Sequence, residues 1–208
     1  MPERSSAITL GILAGGGGTR LGGRDKGLIA AGGQCLVDHV LARLGPSCRT
    51  QLISANRHTD NYAARNVAVL PDEVGAIPWP GPLAAVITLL RHTPTEWLQL
   101  APCDAPLLPT DLPARLYQAA TTTGMGIMVP LAASREQWAC ALINTDCRHE
   151  LERLLHDGTR SLGGALGRLG YGTLDCSAHE EAFLNVNTPA DLEELTARLH
   201  AAEGSRSR

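Results

Sequence analysis

The sequence is poor in aromatic side chains, which make up 3% of its 208 residues, and it has no surplus of basic charge, with a formal net charge of −3. Proteins that grip a nucleic-acid polymer ordinarily present a cationic face with stacking rings, so that class of partner is excluded. A small anionic ligand stays open, because a local cluster of donors can hold phosphate on a mildly acidic protein. No apolar run is long enough to span a bilayer. The opening "MPERSSAITLGILAGG" has no basic stretch followed by a long apolar one, so no secretory signal is read there. The expectation is a cytoplasmic protein with no membrane partner. The cysteines at 35, 48, 103, 140, 147 and 176 form no C-x-x-C pair, which argues against structural zinc and for reduced, partly buried thiols. The histidines show no H-x-x-x-H or H-E-x-x-H spacing, so no zinc-binding helix is read from them.

What the chain does have is an alternation of short apolar runs with helical patterns. Strands are expected at 7–14, 50–55, 66–71, 96–102, 125–130 and 138–143. Helices are expected at 35–45, 82–92, from about 110 to 120, 147–158, 161–170 and 189–202. The helix at 161–170 is the weaker one, because glycines interrupt it. This order predicts an α/β fold: one Rossmann-like domain over residues 1–202, a mostly parallel sheet flanked by helices, and a frayed tail at 203–208.

Open parallel sheets bind ligands at the carboxyl ends of their strands. The first strand runs into "LAGGGGTRLGGRDKGL" (13–28), the second into "SAN" (54–56), the third into "PDE" (71–73) and the fourth into "APCD" (101–104). The glycine-rich stretch fits neither G-x-x-x-x-G-K-[ST] nor G-x-G-x-x-G. What remains is a long loop of backbone N–H groups with Arg20 as a fork and Lys26 as a point charge, a combination suited to phosphate. The alternative is a loop whose glycines merely permit a turn. Asp72 and Asp104 could be ordinary helix caps or turn formers. On the same edge as a phosphate loop they become candidates for a nucleotide and its Mg²⁺, and Asp104, fixed between Pro102 and Pro106, is the better metal ligand.

The stretch 13–28 resembles the signature of the molybdenum cofactor guanylyltransferases, within the wider nucleotidyltransferase superfamily. The similarity continues through "SANRH" (54–58), "PD" (71–72), "PGPLA" (80–84), "PCDAPLLPTDL" (102–112) and "NVNTPADL" (185–192), and so covers nearly the whole chain in order. The resemblance implies transfer of GMP from GTP to the phosphate of molybdopterin-bound molybdenum cofactor, with loss of pyrophosphate and with Mg²⁺ as cofactor. It implies nucleotide contacts from Leu13, Ala14, Gly15, Lys26, Asp72 and Asp104, with Asp104 also on the metal; Gly16 and Ser54 are further candidates for the nucleotide, and Arg20, Lys26 and Asp104 for catalysis. Ser54 stands where the family usually has the longer asparagine, Leu21 where it usually has methionine, and the run 134–144 lacks the family's usual H-P pair. Asn185 and Asn187 are candidates for the acceptor, while Asn187 or Thr188 before Pro189 also suits a helix cap. A monomer is expected, with transient contacts to cofactor-supplying proteins and to recipient molybdoenzymes. Two rival functions remain: a cytidylyltransferase or sugar-phosphate nucleotidyltransferase of the same fold, and a non-catalytic nucleotide-binding regulator.

Overall fold

The computed structural model describes residues 5–14, 17–18, 23–73 and 81–206. Its main sheet has eight strands. In chain order these are β1 (Ser5–Leu13), β2 (Cys48–Ser54), β3 (Ala68–Leu70), β4 (Trp97–Pro102), β5 (Ile127–Ala132), β6 (Arg135–Glu136), β7 (Leu142–Asn144) and β8 (Gly172–Asp175). The spatial order is β6-β5-β7-β4-β1-β2-β3, with β8 along the other edge of β5. Strands β3, β2, β1 and β4 run parallel. Strand β7 is reversed between β4 and β5, and β6 folds back on β5 as a hairpin. The mostly parallel α/β sheet expected from the sequence is thus present.

The helices are α1 (Leu36–Leu44), α2 (Thr59–Ala63), α3 (Gly81–His92), α4 (Leu112–Thr123), α5 (Arg148–His156), α6 (Leu162–Leu169) and α7 (Pro189–Arg206). They cover both faces of the sheet, and the period of two in the strands sorts the core into two layers. Ile8, Leu10, Ile12 and Leu142 share one layer with Val40 and Leu44 of α1 and Leu112 and Leu116 of α4. Leu98, Leu100, Val129 and Ile143 share the other with Val86 and Ile87 of α3, Leu154 of α5 and Leu166 of α6. Each such buried side chain contributes roughly 1.5–3 kcal/mol relative to exposure. A smaller cluster joins Ile29, Ala31 and Leu36 to Val186 and to Leu195 of α7, and so ties the end of the chain to the loop that follows Lys26.

Several boundaries differ from expectation. The run 138–143, expected as one strand, divides into a 3₁₀ turn at Trp138–Cys140 and the short β7. The turn lets the Trp138 ring leave the sheet and meet Tyr171 edge-on, with ring centroids 4.8 Å apart. Helix α6 forms in spite of its glycines. Ser161 caps it by accepting from the Gly164 N–H at 3.2 Å, and a Cβ at Gly163 would stand 2.9 Å from Trp138 Nε1, so the helix can pack there only without one. Helix α4 begins at Leu112 rather than near Thr110, and α7 continues to Arg206, past its expected end at 202. Among the described residues no helix is long and apolar enough to cross a membrane.

Candidate active site

The four parallel strands end at one level. Leu13 lies opposite both Ser54 and Pro102, and Ser54 lies opposite Leu70. The pairing runs one residue further, with Ala14 N donating to Ser54 O at 2.9 Å, Ala55 N to Leu70 O at 3.0 Å and Cys103 N to Leu13 O at 3.1 Å. The segments after these strands therefore emerge along a single edge, Asp104 beyond β4 on one side of β1 and Asp72 beyond β3 on the other. Leu13 and Ala14 form the half-buried floor between them.

The glycine-rich stretch returns on itself through a two-residue ribbon in which Gly17 pairs with Asp25 and Gly18 with Arg24. Gly15, Gly16, Arg20 and Leu21 lie outside the described residues. The chain then makes a 3₁₀ turn at Lys26–Leu28, capped by the Asp25 carboxylate, which accepts from Gly27 N at 3.2 Å. Lys26 Nζ donates to Asp104 Oδ2 at 2.9 Å and to Asn187 Oδ1 at 2.6 Å. Two of its three donors are thereby used, in a pair whose side chains are only 20% and 12% exposed. Asp104 sits in the turn closed by Ala105 N donating to Pro102 O at 3.4 Å, and its own carbonyl accepts from Val186 N at 2.8 Å. Positions 26, 104 and 187, far apart in the chain, are joined in one polar cluster.

Of the roles considered at the start of α7, the structure assigns the cap to Thr188 and not to Asn187. Asp191 N donates to Thr188 Oγ1 at 3.2 Å, and Thr188 N to Asp191 Oδ2 at 2.8 Å. Backbone bonds from Asn187 and then Thr188 hold the Asp191 carboxyl below its ordinary pKa. The Asn187 side chain is turned away from the helix, its Oδ1 on Lys26 and its Nδ2 on the Asn185 carbonyl at 3.2 Å. Asn185 itself is exposed beside it.

On the other flank Asp72 is held by neutral donors. Ser54 Oγ donates to Asp72 Oδ1 at 3.3 Å, and Asn56 Nδ2 to Asp72 Oδ2 at 2.9 Å. Asn56 Oδ1 also accepts from Asp72 N at 2.8 Å, which makes Asn56 a two-point clip. Ser54 is fully buried beneath this carboxylate. In the sequence Asn56 is marked by little more than its place just past a strand end. Asp104 and Asp72 are legible there as carboxylates at strand ends, and Lys26 as a cation of the glycine-rich loop.

Among the described residues no three His, Cys, Asp or Glu side chains converge into a metal cage. A single firmly placed carboxylate at Asp104 nevertheless suits Mg²⁺, which takes one or two carboxylates and fills its shell with phosphate oxygens and water. The neighbouring Cys103 is buried; burial first, and then the adjacent Asp104 charge, push its thiol far above the ordinary value.

Comparison with known proteins identifies the family. The family model for a MobA-like NTP transferase domain matches residues 10–169. The molybdenum cofactor guanylyltransferase of Shewanella sp. (strain MR-4) is 36% identical over 190 residues, covering 91% of this chain and 95% of the relative. That of Shewanella piezotolerans is 35% identical over 185 residues, covering 89% and 90%. The solved structure of molybdopterin-guanine dinucleotide biosynthesis protein A from Archaeoglobus fulgidus superposes with a TM-score of 0.77, covering 93% of this chain and 99% of that one; at 21% identity it speaks for the fold alone. With the model matched across most of its length, and with relatives this similar from end to end, the chain belongs to the MobA-like NTP transferase family.

Proposed function

We propose that the protein transfers GMP from GTP to the phosphate of molybdopterin-bound molybdenum cofactor, forming the guanine dinucleotide cofactor and releasing pyrophosphate. The observation that carries the reading is the joining of Lys26, Asp104 and Asn187 at the edge where four parallel strands end, in a chain 36% identical to a guanylyltransferase over 91% of its length. An acceptor phosphate oxygen attacks the α-phosphorus of GTP. The new P–O bond forms as the bond to the bridging oxygen breaks, and pyrophosphate leaves with that electron pair.

The protein's share is placement and charge. Lys26 offers its remaining donor to the phosphates of the nucleotide, together with Arg20 and the backbone N–H groups of Gly15 and Gly16. Leu13 and Ala14 bear the nucleotide from below. Asp72, held by Ser54 and Asn56, keeps acceptor lone pairs for N–H or O–H groups of the nucleoside. Asn185 and the segment around Asn187 meet the acceptor. Asp104 holds Mg²⁺, which supplies neutralisation of the negative charge gathered between the two substrates. A monomer in the cytoplasm, passing its product to molybdoenzymes through transient contacts, completes the reading.

The test is turnover with purified molybdenum cofactor and Mg²⁺, offered GTP, CTP or UTP in turn. Pyrophosphate and a guanine dinucleotide should form with GTP. Turnover of CTP as fast as GTP would move the protein to the cytidylyltransferases of this fold. Nucleotide binding without turnover of any of the three would make it a binding protein.

A further inference from the structure

Asp25 and Tyr62 form a buried pair that the reaction itself does not use. Tyr62 is fully buried, and Asp25 is 6% exposed. The Tyr62 hydroxyl donates to Asp25 Oδ1 at 2.5 Å, and the other carboxylate oxygen, Oδ2, is buried with no hydrogen-bond partner among the described residues. A half-satisfied buried carboxylate costs stability, so its presence calls for an explanation at this place. The place is the peptide that carries Lys26.

Both chain neighbours of Lys26 rest on the same phenol. Asp25 accepts its hydrogen bond, and Gly27 lies so close that a Cβ there would stand 2.4 Å from the Tyr62 hydroxyl oxygen and 3.2 Å from the Cys103 Cβ. Gly17, within the glycine-rich stretch, pairs through its backbone with Asp25. Tyr62 in turn is immobilised. The Arg65 guanidinium lies over its ring at 5.9 Å from the centroid. Arg65 also donates to both oxygens of Asp38 on α1, at 2.5 and 3.0 Å, and to the Asn61 carbonyl at 2.5 Å. A continuous chain of contacts therefore runs from α1 through Arg65 and Tyr62 to the residues on either side of Lys26.

We propose that Tyr62, through its hydrogen bond to Asp25, is a positioning residue that seats Lys26 and the returning arm of the glycine-rich loop for the phosphates of the nucleotide. The proposal rests on the reading that Lys26 meets those phosphates. Tyr62→Phe removes the hydroxyl and keeps the ring under Arg65. The experiment is a double-mutant cycle on GTP binding, measured directly with the full chain, for the wild type, Tyr62→Phe, Lys26→Ala and the double variant. Tyr62→Phe should weaken GTP binding about tenfold in the wild-type background and by no more than about twofold when Lys26 is already alanine. A purely structural role would lower the melting temperature and weaken binding equally in both backgrounds, and that result overturns the proposal. Where Tyr62→Phe does not fold, Asp25→Asn weakens the same bond while keeping an amide oxygen to accept from Gly27 N, and is read by the same cycle. GTP affinity unchanged by Lys26→Ala alone would remove the reading of Lys26 and the proposal with it, whereas a wild type that binds no GTP would overturn the family reading first.

Discussion

On one side of β4 lie β1, β2 and β3, all running with it; on the other lie β7, β5, β6 and β8, with β7 reversed. Both regions use the same two-layer apolar core. Their strand ends behave differently. In the parallel region Ala14, Ser54, Asp72 and Asp104 arrive at one edge. In the mixed region the reversed β7 carries its last residue, Asn144, to the opposite edge, where it pairs with Trp97 at the start of β4. There the Asn144 side chain accepts from Asp146 N at 2.9 Å, an ordinary turn contact. Two ion pairs show the same contrast. Lys26 and Asp104 are 78 positions apart and mostly covered, whereas Arg153 reaches Glu150 and Asp157 three and four positions away on an exposed helix face. Strand direction, more than membership of the sheet, decides where functional side chains can gather.

The comparison breaks most visibly at Asp104. Asp104→Asn keeps the turn and one acceptor oxygen and removes the charge. The expected loss is about a hundred- to a thousand-fold in turnover, or roughly 3–4 kcal/mol of transition-state stabilisation. A Mg²⁺ titration of turnover in both proteins checks it. A variant with the wild-type rate and Mg²⁺ midpoint would leave Asp104 as a turn former only.

In the mixed region a buried change should act on stability and leave the chemistry alone. Ile143 is fully buried at the centre of β7. Ile143→Val deletes one methyl group and should cost about 0.5–1.5 kcal/mol. In a chain of this size that lowers the melting temperature by roughly 1–6 °C. Its kcat and its KM for GTP should match the wild type. A fall in kcat comparable with that of Asp104→Asn would show that this region shapes the site after all.

What the sequence disclosed follows from the range of each signal. The long strands and helices carry their own periodicity, Asp72 and Asp104 are carboxylates just past strand ends, and Lys26 is a cation in the glycine-rich loop. Helix α2 gave no such signal: it has five residues, one of them buried, and follows His58 in the left-handed region at φ 52°. Strand β8 has only four residues, alternating half-buried and exposed, with Leu174 its one large apolar side chain, too short a pattern to stand out in the sequence. The Asn56 clip and the Tyr62 seat join residues 16 and 37 positions apart, a relation that only the folded sheet establishes. Asn187 suited two roles equally as a letter in the sequence. The Thr188 hydroxyl takes the cap, and the Asn187 amide is left to Lys26.

The smallest effect expected sharpens the contrast between the two kinds of ion pair. Arg153 donates to Glu150 and Asp157, but its side chain is 59% exposed and theirs are 47% and 53% exposed. The hydrogen bond from Arg153 holds the Glu150 carboxyl below its ordinary pKa, so the contact is felt electrostatically. Water and salt screen such a pair, however, and fixing two long side chains in one geometry costs entropy that offsets the attraction. Arg153→Ala should therefore leave the melting temperature, kcat and the KM for GTP unchanged within error, at low and at physiological ionic strength. The Lys26–Asp104 pair differs in being held on both sides, by the Asn187 amide on the lysine and by the proline turn on the aspartate. Thermal melts and GTP kinetics of Arg153→Ala at two salt concentrations decide the matter. A melting temperature lowered by several degrees only at low salt would mean that the α5 network is coupled to the core, and that exposure alone does not distinguish the two regions.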